Sequence, residues 1–266
     1  MSDPSSTVGW DPTTYLRHGD ERARPFLDLL ARVPGEARTV VDLGCGPGQL
    51  SAVLRERWPD ARIHGVDSSA AMIERAEQDP VPGVTYERAD ASTWQPGAPV
   101  DVLLSNAMFQ WLPEPLDVVR RLLPHVVPGG TFALQVPHNH DAPSHVLLRD
   151  LAGRPPYAEH TARAHRVTVP PAEDWLELFA GSGWSVDAWT TTYLHVLAGE
   201  EPVFSWVSGT GARPVLQALP PTLRERFEQE YREALRDAYP RRPWGTVLPF
   251  ERVFVVARRP AVEPGD

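Results

Sequence analysis

Apolar residues alternate between two rhythms over the first half of this chain. Thr39-Val40-Val41-Asp42-Leu43 is a short β-branched and apolar run, which reads as a buried strand. From Gln49 to Trp58, Leu50, Val53, Leu54 and Trp58 recur at helical spacing. A second strand runs from Ala61 to Val66. Ser68 or Ser69 then caps a helix carrying Met72, Ile73 and Ala76, and Pro80 and Pro82 end it. Val84 to Glu87 reads as a third strand and Val100 to Asn106 as a fourth. Leu116 to Val126 reads as a helix, Pro128-Gly129-Gly130 as the turn that ends it, and Thr131 to Pro137 as a fifth strand. Strand and helix alternating in this way predict a parallel sheet with right-handed crossovers. Ahead of it, a helix from about Asp20 to Val33 places Phe26, Leu27, Leu29, Leu30 and Val33 on a core face.

The rhythm breaks at Pro137. Residues 138–172 are rich in Pro, His and Arg, with a short helix around Ser144 to Leu151. Ala172 to Ala180 is a helix and Trp184 to Leu194 a strand. Pro202 to Gly209 reads as helix, Thr210-Gly211-Ala212-Arg213-Pro214 as a turn, and Pro221 to Ala238 as a helix whose mixed charges describe a solvated face. Phe250 to Arg258 closes the sheet as an antiparallel strand beside the sixth. One domain over 1–266 is expected: an arm and helix at 1–35, a ligand-binding half at 36–137, and insertions at 138–172 and 199–247.

Composition narrows the classes. A hydrophobic fraction of 42% with 23% charged residues is that of a globular protein. A net charge of −9 argues against nucleic acid and against a membrane surface as partners. No apolar run approaches a membrane span, and the N-terminus lacks the form of a signal peptide, so the cytoplasm is the expected place. The oligomeric state is not fixed by the sequence, and a monomer is the default expectation. The chain has no lysine, which removes a Walker-type phosphate loop and Schiff-base chemistry. Cys45 is the only cysteine, so cysteine metal sites and intrachain disulfides are excluded. Its bland reading is a small residue in a crowded loop. His138, His140 and His145 have no recognised ligand spacing, and no metal is expected.

The candidate chemistry starts at Asp42-Leu43-Gly44-Cys45-Gly46-Pro47-Gly48. Three glycines at alternate positions let the backbone lie against a ligand, and the loop opens onto a helix N-terminus. Asp67 ends the second strand, where an acid suits the two hydroxyls of a ribose. The unit therefore binds a nucleotide-type ligand. A dinucleotide loop places its third glycine one position later, where this chain has Gln49, which counts against a nicotinamide-dependent oxidoreductase. Asn106, Gln110 and Trp111 follow the fourth strand at its carboxyl end and are placed to face cofactor and substrate, whereas Phe109 is expected to pack under a helix. Trp10 and Tyr15 read equally as a lid or as a staple for the N-terminal arm.

The glycine spacing resembles motif I of the class I S-adenosylmethionine-dependent methyltransferases, (D/E)-x-G-x-G-x-G. That resemblance implies an α/β, Rossmann-like fold, mostly parallel with an antiparallel last strand and helical substrate-side insertions. It implies S-adenosylmethionine as cofactor, with S-adenosylhomocysteine as product. The residues it implies around the cofactor are Asp42, Gly44, Cys45, Gly46, Gly48, Asp67, Ser68, Met72, Asp90, Ala91, Asn106, Trp111 and Tyr15. Asp90 matches the acid beside the adenine, and Trp94 reads equally as a stacking partner or as core.

A narrower resemblance covers almost the whole chain. Trp10-Asp11-Pro12, Asn106-Ala107 with Gln110-Trp111-Leu112-Pro113, Thr191-Thr192-Tyr193, Trp206-Val207 with Thr210-Gly211, Arg213-Pro214, and Phe254 to Arg259 together look like the bacterial trans-aconitate methyltransferases. The implied reaction is methylation of a carboxylate of that small polycarboxylic acid. A carboxylate is already ionised at neutral pH, so the enzyme has to position it and exclude water, and no catalytic residue is expected. The acid does need cations and donors. Arg213 is the first choice for a bidentate grip. Tyr193 and His195 alternate on one side of the sixth strand, and Trp206, Gln110 and Trp10 complete the expected substrate set. The alternatives are a methyltransferase for another small molecule (hydroxyl, amine or acyl carboxylate) and an inactive cofactor-binding protein.

Overall fold

The computed structural model describes residues 23–162, 164 and 169–261. In chain order the elements are α1 (Arg24–Leu30), β1 (Thr39–Leu43), α2 (Ser51–Arg57), β2 (Arg62–Asp67), α3 (Ala70–Gln78), β3 (Val84–Arg88), β4 (Val100–Asn106), α4 (Pro115–Leu122), β5 (Val126–Pro137), α5 (Pro143–Ala152), α6 (Ala158–Thr161), α7 (Ala172–Gly181), β6 (Ser185–Leu197), α8 (Pro202–Ser208), α9 (Arg213–Ala218), α10 (Pro221–Ala238) and β7 (Thr246–Arg258). Short 3₁₀ turns follow β4 at Phe109–Trp111 and α4 at Leu123–His125.

Seven strands form one sheet in the order β3-β2-β1-β4-β5-β7-β6. β1 pairs in parallel with β2 and β4, β2 with β3, and β4 with β5. β7 runs against β5: Gly129 N–H donates to Arg259 O, while His138 N–H donates to Glu251 O, so the numbers run in opposite directions. The expected mostly parallel sheet with an antiparallel last strand is what forms.

The described residues divide into two compact units, one of residues 23–135, 172–188 and 254–261, the other of 136–162, 164, 169–171 and 189–253. The core of the first unit is the apolar run of each parallel strand. Val40, Val41, Leu43, Ile63, Val66, Leu103, Leu104, Phe132 and Leu134 are all at most 2% exposed. Such near-continuous burial is expected for strands covered on both faces. Phe109 packs against Phe132 and Trp175, and Phe179 against Phe132 and Trp184, which places Phe109 in the core as its sequence suggested.

In the second unit α5, α6, α8, α9 and α10 share a core of residues such as Leu148, Leu151, Val203, Phe204, Val207, Leu216, Phe227 and Tyr231. Two tyrosine hydroxyls tie it to the start of α5. Tyr231 Oη donates to Ser144 O at 2.8 Å, and Ser144 N–H donates to Tyr239 Oη at 3.0 Å. Burial pushes the Tyr231 phenol above its ordinary value, so it stays a neutral donor.

Three expectations are corrected. The helix expected up to Val126 stops at Leu122, and β5 begins at Val126, so Pro128-Gly129-Gly130 lies within the strand. The reason is non-local: Arg259 N–H donates to Gly130 O and draws the turn into the ladder with the end of β7. The turn expected through Pro214 is the start of α9, with Arg213 its first residue. Proline was read there as a terminator, but it suits a first helical turn, where its missing N–H is unneeded. α6 interrupts a stretch read as irregular. Among the described residues, no helix is long and apolar enough to cross a membrane.

Candidate functional site

The glycine loop is held by the tip of the neighbouring strand. Gly44 N–H and Cys45 N–H both donate to Val66 O, at 2.7 and 3.0 Å. One residue on, the Asp67 carboxylate accepts from Gly46 N–H at 3.0 Å through Oδ2 and from Ser69 N–H at 2.9 Å through Oδ1. Asp67 thus fixes both the loop and the start of α3, whose cap is Ser69. Gly44, Gly46 and Gly48 have φ of 85°, 57° and 72°, a region side chains rarely adopt. Gly48 is crowded as well, since a Cβ there would lie 2.7 Å from Tyr86 Oη. A Cβ on Gly46 would meet nothing within 4 Å, so this backbone faces open space of the kind a ligand fills.

Two acids lie close together beneath this loop. Asp42 is 3% exposed. Burial, and then the charge of Asp67, push its carboxyl up to about 7. A buried carboxyl beside a second, half-buried one suits a ligand that brings its own positive charge. Cys45 is buried, and burial followed by Asp42 and Asp67 raises its thiol far above the reactive range, which supports the small-residue reading.

Apart from Tyr15, the rest of the expected cofactor set lies on the same unit. Ser68 is exposed and its carbonyl accepts from Arg88 Nε at 3.3 Å. Met72 is 42% exposed on α3. Asp90 is exposed, and the hydrogen bond from Ser92 N–H at 2.9 Å holds its carboxyl below the usual range. Ala91 is buried. Arg121 on α4 anchors this loop by donating to the carbonyls of Ala91, Ser92 and Trp94 at 2.9, 3.0 and 2.5 Å. Nothing in the sequence reading singled out Arg121; the available signal was an arginine among the buried Val118, Val119 and Leu122 of one short helix. Trp94 is 8% exposed and structurally engaged, its Nε1 donating to Glu87 Oε2 at 3.0 Å and its ring stacked on His64.

At the carboxyl end of β4, Asn106 Oδ1 accepts from Gln135 Nε2 at 2.6 Å, and Ala107 takes a φ of 54°. A non-glycine residue in that region stores strain, which collects at functional sites. Gln110 is 7% exposed and donates to Ala107 O, and its buried Oε1 has no partner among the described residues. Trp111 is 47% exposed. Tyr15 and Trp10 lie outside the described residues.

The remaining substrate candidates belong to the second unit. Tyr193 and His195 are buried with near-parallel rings 6.2 Å apart; His195 lies 4.8 Å from Trp206 and 6.0 Å from Phe250. Arg252, a buried arginine that the sequence reading passed over, lies over Phe250 at 4.8 Å. Arg213 is exposed and lines an open groove of about 500 Å³ with Phe204, Ser205, Ser208, Gln217 and Arg224. The structure therefore gathers Tyr193, His195 and Trp206 into one aromatic cluster and puts Arg213 on that groove. Among the described residues, no group of side chains is arranged to hold a metal ion.

Comparisons with known proteins bear on the family and the fold. A family model described as a methyltransferase domain matches residues 15–188. A trans-aconitate 2-methyltransferase of Streptomyces avermitilis is 47% identical over 97% of this chain and 100% of its own length. One from Rhodococcus jostii is 46% identical over 94% of this chain and 99% of its own. Among solved structures, the plantazolicin methyltransferase BpumL, in complex with a triazolic desmethylPZN analog and S-adenosylhomocysteine, superposes with a TM-score of 0.51 at 13% identity, covering 93% of this chain and 89% of the other. At that identity the likeness concerns the fold alone.

Proposed function

This chain belongs to the trans-aconitate 2-methyltransferases, within the class I methyltransferases, and from that premise we propose that it transfers a methyl group from S-adenosylmethionine to a carboxylate of trans-aconitate. The carrying observation is the match from end to end, which includes the helical segments after Pro137 that the bare methyltransferase fold does not need. When bound, the cofactor supplies an electrophilic methyl on a sulfonium.

The residues fit that group. Gly46 offers open backbone, Asp67 offers a fixed carboxylate that would accept from ribose hydroxyls, and Asp42 offers buried negative charge for a cationic donor. Gly44, Cys45, Gly48, Ser68, Met72, Asp90, Ala91, Asn106 and Trp111 extend the proposed cofactor set, with Tyr15 added from the sequence. Asn106 is held by Gln135, and Gln110 keeps a buried carbonyl oxygen to spare for a donor. For the acid we assign the guanidinium of Arg213, the rings of Tyr193, His195 and Trp206, and, from the sequence, Trp10. Arg252, over Phe250, is a guanidinium beside the aromatic cluster.

No side chain has to remove a proton, because the attacking oxygen is already anionic near neutral pH. The rate then comes from holding that oxygen in line with the methyl carbon in a dry site. The protein acts in the cytoplasm as a monomer on a free small acid, and its charge of −9 keeps nucleic acid away.

Methyl transfer from labelled cofactor to a panel of di- and tricarboxylates tests the reading. A base-labile methyl ester formed preferentially from trans-aconitate supports it. Transfer to hydroxyl or amine acceptors, with none to acids, overturns it.

A further inference from the structure

The first residue after β5 carries a fixed imidazole with a spare nitrogen. In a doubly wound sheet, ligands bind beyond the carboxyl ends of the parallel strands, and β5 ends at Pro137. His138 Nδ1 lies 2.7 Å from Glu251 Oε1 on β7. Three further bonds lock the pair. His138 N–H donates to Glu251 O at 2.9 Å, Asn139 Nδ2 donates to the same oxygen at 2.9 Å, and Glu251 N–H donates to Asn139 Oδ1 at 2.8 Å. Asn139, which makes this bracket, is itself 8% exposed.

A carboxylate only accepts, so Nδ1 carries the hydrogen toward Glu251 and Nε2 is left for something else. Nε2 is buried, and it has no partner among the described residues. A buried polar atom that is held this firmly without a protein partner can be satisfied by a bound ligand. Among the described residues, the charged and titratable groups around the ring are Glu251 on β7 and the His140 ring edge-on at 4.4 Å, with Asp141 at 3.2 Å from His140 Nε2 and Arg149 of α5 at 4.0 Å from Asp141.

We infer that His138 Nε2–H donates a hydrogen bond to a carboxylate of the acid substrate, with Glu251 as the positioning residue that holds the ring. This rests on the carboxyl-methylation reading above. With Nδ1–H kept toward Glu251, donation from Nε2 means that the ring carries hydrogen on both nitrogens in the complex and lies between two carboxylates, so binding takes up proton to the extent that the free ring lacks the second one.

Calorimetry of trans-aconitate binding to the full chain, saturated with S-adenosylhomocysteine, in buffers of different ionisation enthalpy reads both affinity and proton uptake. Wild type should take up a fraction of a proton at pH 8. His138→Asn keeps a donor near Glu251 but lacks Nε2, so its Kd should rise about tenfold and its uptake should vanish. His138→Gln reaches the Nε2 position with an amide that cannot charge, and should regain affinity without uptake. Glu251→Gln should reduce the uptake. Melting temperatures and cofactor Kd should match wild type in all three variants. An Asn variant that binds within twofold of wild type, or uptake that persists in both His138 variants, overturns the inference. Wild type that forms no methyl ester from any acid overturns the methylation reading instead, and ester formation is measured separately.

Discussion

Asp42 and Asp67 stand close enough for the charge on Asp67 to oppose ionisation of Asp42, whose carboxyl is pushed up to about 7 by burial and by that neighbour. The unfolded chain loses this proton near the ordinary value of 3.8, whereas the folded chain keeps it until about 7. Between those values the folded state binds more protons, so this group's contribution to stability falls as pH rises. Asp42→Asn should therefore be more stable than wild type at pH 8, on the order of a few kcal/mol, with the gain vanishing below about pH 4. Denaturant unfolding at both pH values checks it, and a less stable Asn variant at pH 8 would contradict the reading.

The same pair predicts a cofactor effect of opposite sign. A sulfonium or ammonium near Asp42 favours the carboxylate, so affinity for S-adenosylmethionine should rise as pH increases through about 7. Asp42→Asn should flatten that rise and weaken binding at pH 8. Calorimetric titrations across the range measure both.

Gly46 and Gly48 should separate binding from folding. Gly46→Ala adds a methyl into open space at a φ of 57°, so the fold should survive with strain of roughly 1–2 kcal/mol. Its affinity for S-adenosylhomocysteine should fall about tenfold or more, because that space belongs to the ligand. Gly48→Ala strikes Tyr86 Oη and should lose more stability than Gly46→Ala. A Gly46→Ala protein that binds like wild type would remove the loop from the site.

The sheet and the loop were legible in the sequence because their signals are local. Val40 to Leu43, Ile63 to Val66 and Val100 to Asn106 are buried runs, and each glycine of the loop needs its conformation where it stands. What escaped depends on partners far along the chain. β5 starts early because Gly130 meets Arg259, and Glu251 finds His138 and Asn139 more than a hundred residues away. Arg121 and Arg252 carry no periodic signal, so a single inward-turned guanidinium looks like any surface charge until its carbonyls or rings are in place. The prolines misled at Pro214 because one residue both ends and begins helices.

Arg121 is predicted to matter through the loop it holds. Arg121→Gln loses hydrogen bonds to three carbonyls and should destabilise the protein by roughly 1–3 kcal/mol, a drop of about 2–4 °C in Tm per kcal/mol. Cofactor Kd should rise only modestly. Thermal melts with and without S-adenosylhomocysteine check both.

Arg213 and Arg252 offer guanidinium groups in different surroundings, an open groove and a buried aromatic cluster. Arg213→Ala should raise KM for the acid about tenfold while leaving cofactor affinity and Tm near wild type. If KM is unchanged in that variant and rises in Arg252→Gln at preserved Tm, the grip on the acid belongs to Arg252 and the aromatic cluster.

The most direct measurement incubates the purified chain with S-adenosylmethionine and trans-aconitate and identifies the product by mass spectrometry before and after mild alkali. Carboxyl methylation predicts an acid heavier by one methylene, formed in step with S-adenosylhomocysteine and returned to trans-aconitate by alkali. A product that survives alkali, or unchanged acid from folded protein that binds the cofactor, would contradict it.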